Sequence, residues 1–367
     1  MAAGSMTFAQ WGNDLYTGRR SYPIIAQRRI WFSIVAVLGL ASILILFVKP
    51  LVLGIDFRGG TEFTVNNTSS TEQSVAVDAV QQVLPEDEPR VAVVGGSAVR
   101  VQTDIVEDAE GAAIAEALAD GYGVDVADVD QSFVGPTWGE SVSERALWGV
   151  VVFVLLAAAF MAVYFRAWRM SVAGILAMLS DLLISAGIYA LVGWEVTPST
   201  IIGFLTILGF SLYDKMVVFD KVRENTTGVL DQSRNTYAER ANLAVNQTLV
   251  RSINTSVVAL LPVAGILFLG ALWLGAGTLR DLSLSLFVGI AVGAASSIFL
   301  ATPLDVTLRE REPKYREHTQ RVLAARQEMA ASGGEEAELA AAAAGRSQLI
   351  PGHHQGNAAQ PRRKRAR

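Results

Sequence analysis

The stretch Pro198–Asn225 reads P-S-T-I-I-G-F-L-T-I-L-G-F-S-L-Y-D-K-M-V-V-F-D-K-V-R-E-N. It opens as an apolar run long enough to enter a bilayer, and before the run ends it carries Asp214, Lys215 and then Asp220. An aspartate near the centre of a membrane helix costs about 2.5–3.5 kcal/mol on insertion scales. Several Leu or Ile, at roughly 0.3–0.6 kcal/mol each, are needed to offset it. Two readings of Asp214 compete: a structural pair with a neighbouring Lys or Arg, and a carboxylate retained for function. Intramembrane carboxylates are by default read as the second.

Composition frames this stretch. The 367 residues are 51% hydrophobic with a mean hydropathy of +0.36, too apolar for a soluble protein, and several spans are implied. There is no Cys, which excludes disulfides, thiolate zinc sites and a Cys nucleophile. The histidines are His318, His353 and His354, all in a polar C-terminal tail, so no His-based triad or metal centre is expected in the folded body. The net charge of −5 hides an asymmetry: acids concentrate between the first two apolar runs, and basic residues flank those runs.

Upstream of Pro198, Trp194-Glu195 follows an apolar run over Val172–Val192, the third span, with Ser180 and Asp181 near its middle. Arg166 and Arg169 bracket a short turn back to the second span, Ala146–Phe165. That span is introduced by V-G-P-T-W-G-E-S-V-S-E-R (Val134–Arg145), where Pro136 and Gly139 break a preceding strand and Trp138 and Trp148 suit an interface. The first span is Ile30–Val48, preceded by Arg19, Arg20, Arg28 and Arg29 and closed by Lys49-Pro50. Its length and the lack of an A-x-A-like site favour an uncleaved span over a signal peptide.

Downstream, Lys221–Arg251 reads as a polar inner loop. The fifth span, Ser252–Leu274, begins in the polar run R-S-I-N-T-S (Arg251–Ser256) and holds Pro262, a kink signal. The sixth, Leu282–Thr302, carries Gly289, Gly293 and Ser297 as a small-residue packing stripe. The remainder, ending P-R-R-K-R-A-R, reads as a fraying helix that runs into disorder. Its basic end suits contact with anionic lipid or a ribosome, although such runs are more often simply solvated.

Between the first two spans, Gly54–Gly60 reads G-I-D-F-R-G-G, and its glycines permit a tight reversal beyond the bilayer. Gly54, Asp56, Gly59 and Gly60 are taken as a structural motif. A phosphate-binding loop is the sharper alternative for these glycines, but no G-K-[ST] follows them. Then come a strand at Thr61–Asn66, a helix at Thr71–Leu84 with Thr71 as N-cap, and a hairpin of Val91–Val94 and Ala98–Thr103 around Gly95-Gly96-Ser97. A helix at Glu107–Ala119, ended by Gly121 and Gly123, and a strand at Asp128–Val134 complete the order β-α-β-β-α-β, a ferredoxin-like split fold.

The fold class expected is an α-helical polytopic membrane protein of six transmembrane helices with one external α+β domain. Its parts are a cytoplasmic segment 1–29, a first span 30–49, an external domain 50–145, a five-helix membrane region 146–303 and a cytoplasmic tail 304–367. The charges of the loops put both termini inside.

Within that topology the fourth span runs inward, and Asp214 lies roughly 8 Å short of its inner end at 1.5 Å per residue. Arg251 starts the fifth span at the same side, and its long side chain could meet Asp214 if the two helices are neighbours. Asn254 follows on the Arg251 face, and Asp181 lies deeper. A carboxylate that changes charge state beside an arginine is a minimal proton-coupled element. One proton moved inward supplies about 2.3 kcal/mol per 100 mV.

Four stretches in this order resemble SecF of the bacterial SecD–SecF protein-export family. They are G-I-D-F-R-G-G, V-G-P-T-W-G-E-S, G-F-S-L-Y-D-K-M-V-V-F-D-K-V-R-E-N and R-S-I-N-T-S. The resemblance implies an RND-like half and an accessory role in Sec-type translocation. It also implies residence in the bacterial cytoplasmic membrane, and SecD, the SecYEG channel with SecA, and the translocating polypeptide as partners. No cofactor beyond a proton gradient, no enzymatic activity and no nucleic acid are implied. The family's proton-pathway Asp and Arg fall on Asp214 and Arg251, with Asp181 in support. Two positions depart from the pattern: Ser180, where a His is frequent, and Lys215, where a small polar residue is usual.

Two other functions are compatible with parts of the chain. One is an RND-type half for small molecules or lipids. The other is an intramembrane aspartyl protease, whose second acid would have to come from G-A-G-T-L-R-D (Gly275–Asp281), with the wrong spacing and the opposite depth.

Overall fold

In a computed structural model the structure describes residues 8–94, 97–271 and 277–331. The Gly95-Gly96 turn, the last residues of the expected fifth span, the start of the Gly275–Asp281 stretch and the basic end of the tail lie outside these residues. Among the described residues six helical stretches are long and apolar enough to cross a membrane: Arg28–Val48, Pro136–Phe165, Trp168–Val192, Pro198–Asp231, Tyr237–Gly270 and Leu279–Glu310. The chain divides into two compact units.

The larger unit holds residues 33–213 and 255–296. Its soluble part is a four-stranded antiparallel sheet in the spatial order Arg90–Val94, Ala98–Thr103, Gly60–Val65, Val129–Val134. Helices Gln73–Val83 and Asp108–Tyr122 cover one face, which gives the split β-α-β-β-α-β arrangement. Alternation along the strands sends Phe63, Val65, Val99 and Val101 into a core with Ala76, Val80, Ile114 and Leu118. The other face carries Glu62, Arg100 and Gln102, since Glu62 pairs with Gln102 and Thr64 with Arg100 in register.

Helix boundaries differ from the sequence reading at three places in this unit. Gln73, not Thr71, starts the first covering helix, because Glu72 occupies the N-cap position and its carbonyl accepts from Tyr122 Oη at 2.7 Å. The second helix runs through Gly121 and stops at Gly123, in the left-handed region at φ 65°. Pro136 does not simply break the strand: it opens the helix that becomes the second span, at a position where its missing N–H costs nothing.

The Gly54–Gly60 segment folds as a single helical turn, Ile55–Arg58, followed by Gly59 at φ 80° and Gly60 at φ 141°. A Cβ on Gly60 would lie 2.7 Å from the Thr103 carbonyl, so only glycine joins turn to strand here. Val52–Leu53 pairs in parallel with Glu195–Val196, just before the fourth span. Fourth and sixth spans pack through small residues: Gly203 on Ser285, Ile207 on Gly289 and Ser211 on Gly293. Both sets of numbers rise together, so these two helices run parallel, as even-numbered spans must.

The smaller unit holds residues 8–32, 214–254 and 297–331. Here the expected polar loop Lys221–Arg251 is mostly helix. The fourth-span helix continues to Thr226, and the next begins at Tyr237. That extension is held from the side: Asn246 Oδ1 accepts from Tyr22 N at 2.7 Å, Asn242 Oδ1 from Ile25 N at 3.0 Å, and Gln247 Nε2 donates to the Tyr16 carbonyl at 3.0 Å.

Helices Thr302–Glu310 and Pro313–Ala331 occupy the start of the expected tail. His318 is therefore not in a solvated segment. It is buried, with Nε2 donating to the Gln232 carbonyl at 2.6 Å. Winding loosens to π-helix at Ile266–Ala271, shortly after Pro262, and at Ser297–Ala301.

Candidate functional site: two hydroxyl-held carboxylates

Asp214 sits on the fourth-span helix, 3% exposed. Its Oδ1 accepts from Ser252 Oγ at 3.0 Å, and its Oδ2 accepts from Ser297 Oγ. Both serines are buried, one on the fifth-span helix and one at the first position of the π turn in the sixth. Arg251 is not among the groups bonded to this carboxylate among the described residues. Neighbouring helical residues point about 100° apart, so once Ser252 faces Asp214, Arg251 is turned aside, and it is exposed. Asn254 is exposed as well. Lys215 is wholly buried.

Asp181, in the larger unit, is a second buried carboxylate, bonded to one seryl hydroxyl. It is 1% exposed and its Oδ2 accepts from Ser211 Oγ at 2.5 Å. Ser211 is the residue that packs on Gly293, where a side chain would crowd its hydroxyl. Ser180, next to Asp181, is half-buried.

The chemistry of this donor set is specific. An arginine only donates, so it suits a carboxylate in its charged form. A seryl hydroxyl donates to a carboxylate and, after rotation, accepts from a carboxylic acid. Asp214 with Ser252 and Ser297 therefore keeps its hydrogen bonds in both protonation states.

Of the motif residues outside the membrane, Gly54 donates its N–H to the Val196 carbonyl at 3.0 Å, tying the turn to the strand before the fourth span. Gly59 lies against Pro136, where a Cβ would come within 3.2 Å of the proline backbone. Asp56 is half-buried, and burial, then the nearby Glu62 charge, push its carboxyl above the usual range, with Arg100 opposing.

Sequence reasoning singled out Asp214 and Asp181 but neither Ser252, which stood inside the quoted R-S-I-N-T-S run, nor Ser297, which read as part of a packing stripe. Depth-matched serines on the fifth and sixth spans were the available signal.

Residues 114–311, which contain both carboxylates and all three serines, match the protein export membrane protein SecD/SecF C-terminal family, and residues 44–66 match the SecD/SecF GG motif. The chain belongs to the SecD/SecF family.

This SecD/SecF family member is 44% identical over 339 residues to the protein translocase subunit SecF of Streptomyces coelicolor, covering 90% of this chain and 88% of that one. It is 41% identical over 333 residues to the protein translocase subunit SecF of Mycobacterium tuberculosis H37Rv, covering 88% and 75%. Its fold is similar to the crystal structure of SecDF, a translocon-associated membrane protein, from Thermus thermophilus, with a TM-score of 0.69 and 31% identity over 80% of this chain and 39% of that chain. The GG-motif match falls on the Gly54–Gly60 turn. With six helical stretches long and apolar enough to cross a membrane among the described residues, this SecD/SecF member is a multi-pass membrane protein.

Proposed function

We infer that the chain is an accessory subunit of Sec-type protein translocation that couples proton movement through its membrane helices to polypeptide export. The translocation role rests on the named relatives. The coupling rests on one observation: Asp214 is buried and held by two neutral hydroxyls, which can bond both the acid and its anion. Asp181 with Ser211 is a second station of the same kind. Arg251 and Asn254, exposed on the fifth-span helix, serve the entry or exit of the proton rather than holding Asp214.

In this reading the partners are a SecD chain, the SecYEG channel with SecA, and the translocating polypeptide. Both termini are cytoplasmic and the sheet domain is extracytoplasmic, as the arginines before the first span and around Arg166–Arg169 favour. The test is translocation into proteoliposomes that hold the complete complex, with and without an imposed proton gradient. Asp214→Asn keeps the shape and removes the titrating group. The gradient's stimulation is expected to vanish in this variant. Full stimulation with Asn at this position would sink the coupling role. Loss of translocation without any gradient as well would point to assembly instead.

A further inference from the structure

The larger unit contains a cavity of about 230 Å³ that the proton-coupling reading does not use. Its polar wall is Arg90, Arg100 and Gln102 from the open face of the sheet, Glu195 from the strand before the fourth span, and Arg280 and Asp281 from the start of the sixth. Trp194 and Leu284 contribute an apolar side.

The wall is built, not incidental. Gln102, 5% exposed, donates through Nε2 to Glu195 Oε1 at 2.7 Å and to Glu62 Oε2 at 2.9 Å. Arg100 lies 3.4 Å from Glu62 and 3.7 Å from Glu195. These contacts fix the Glu195 carboxylate and the Arg100 guanidinium at the cavity edge. The guanidiniums of Arg90 and Arg280, by contrast, make no hydrogen bond or ion pair among the described residues, although both side chains line the same space. Two available guanidiniums therefore line the same space as two carboxylates, Glu195 and Asp281.

Position narrows the ligand. Arg280 and Asp281 are the second and third residues of the membrane-crossing stretch Leu279–Glu310, and Trp194 stands two residues beyond the end of Trp168–Val192. The cavity thus lies at the ends of spans, at the depth of lipid headgroups, where tryptophan also concentrates. Its volume is below the roughly 300 Å³ at which pockets for drug-sized molecules begin, so it suits a headgroup rather than a larger solute.

We propose that this cavity binds the headgroup of a zwitterionic phospholipid bearing a primary ammonium. The phosphodiester is taken by Arg280 and Arg90, and the ammonium by Asp281 and Glu195. Guanidinium–phosphate and ammonium–carboxylate contacts are both charge-assisted hydrogen bonds. A trimethylammonium headgroup satisfies the first pair but has no N–H for the second. A glycerol headgroup brings no cation at all.

The experiment is native mass spectrometry of the full chain in detergent, titrated with phosphatidylethanolamine, phosphatidylcholine and phosphatidylglycerol of matched acyl chains. Phosphatidylethanolamine is expected to bind on the order of tenfold more tightly than the other two, the worth of one charge-assisted hydrogen bond. Asp281→Asn is expected to erase that preference, and Arg280→Gln to weaken all three lipids. Arg90→Gln, at an exposed strand position, should also weaken all three, and it carries the test if the Asp281 variant fails to fold. Equal affinity for the three lipids, or affinities unchanged in Arg90→Gln and Arg280→Gln, would overturn the proposal. Soluble glycerophosphoethanolamine is expected to compete only weakly; competition at the lipid's own affinity would assign the cavity to a soluble phosphoamine and overturn the lipid source.

Discussion

At Asp214 two hydroxyls share the work of holding one carboxylate, and their loss should be graded. A hydrogen bond to a charged group contributes about 1.5–3 kcal/mol. Ser252→Ala or Ser297→Ala alone is expected to lower gradient-stimulated translocation and shift its pH profile without abolishing it. The double variant should approach Asp214→Asn. If each single variant keeps the wild-type pH profile, the hydroxyls are only packing groups. Asp56 makes a different prediction. Its folded carboxyl titrates above its ordinary value of 3.8 because of burial and Glu62. A raised carboxyl favours folding while it is protonated, so this contribution is present below pH 3.8 and is lost as pH rises through the folded value. Asp56→Asn should remove that loss: its melting temperature should gain on the wild type as pH rises from about 3.8 toward neutrality. A constant difference between the two across that range would refute it. The carboxylates were legible in the sequence because a charge in an apolar run stands out. Their serines were not, since a helical hydroxyl more often bonds its own helix, as Thr248 does to the Ala244 carbonyl and Ser296 to the Gly293 carbonyl. Within their own helices nothing separates those hydroxyls from Ser252 and Ser297; only their depth relative to Asp214 does.

Among the elements, the turn after Ile55–Arg58 tolerates little change. Gly60→Ala places a methyl group 2.7 Å from a backbone carbonyl at a φ of 141°, and neither can yield without moving the strand. A loss of at least about 2–3 kcal/mol is expected. Gly123→Ala meets only left-handed strain, with nothing within 4 Å of the new methyl, and should cost about 1 kcal/mol. Thermal melting of both variants in detergent checks the order, and a reversed order would refute this account of the turn. The strands and covering helices of the soluble part were legible because alternation and amphipathic spacing report burial directly. Helix ends outside the membrane were not. The apolar signal stops at the bilayer, while the helices go on through polar residues held by side contacts such as Asn242 and Asn246 on the backbone of residues 22–25. A run of polar residues looks the same in a loop.

For the molecule as a whole, the helix Pro313–Ala331 after the sixth span braces the connection between fourth and fifth. Arg326 grips Glu239 with two nitrogens at 2.7 and 2.8 Å and donates to the Arg234 carbonyl, while His318 bonds the Gln232 carbonyl. Deleting the chain from Pro313 onward should lower the melting temperature and open residues 227–236 to protease. Unchanged cleavage there would show the brace to be dispensable. This brace was invisible in the sequence because its partners lie about 87 residues apart and each is an ordinary surface type. The π turn at Ser297–Ala301 has a consequence that is one of counting. Such a turn bonds each residue five along instead of four, so it contains one residue more than an α turn over the same arc. Shortening the chain by that single residue would let the helix wind as plain α while its two flanks keep their facing. Gly289 and Gly293 would stay on the fourth span and Asp305 would stay on Tyr237. What would change is the wide turn that carries the Ser297 hydroxyl to Asp214. The surplus residue is thus a property of the site and not of the scaffold on either side of it.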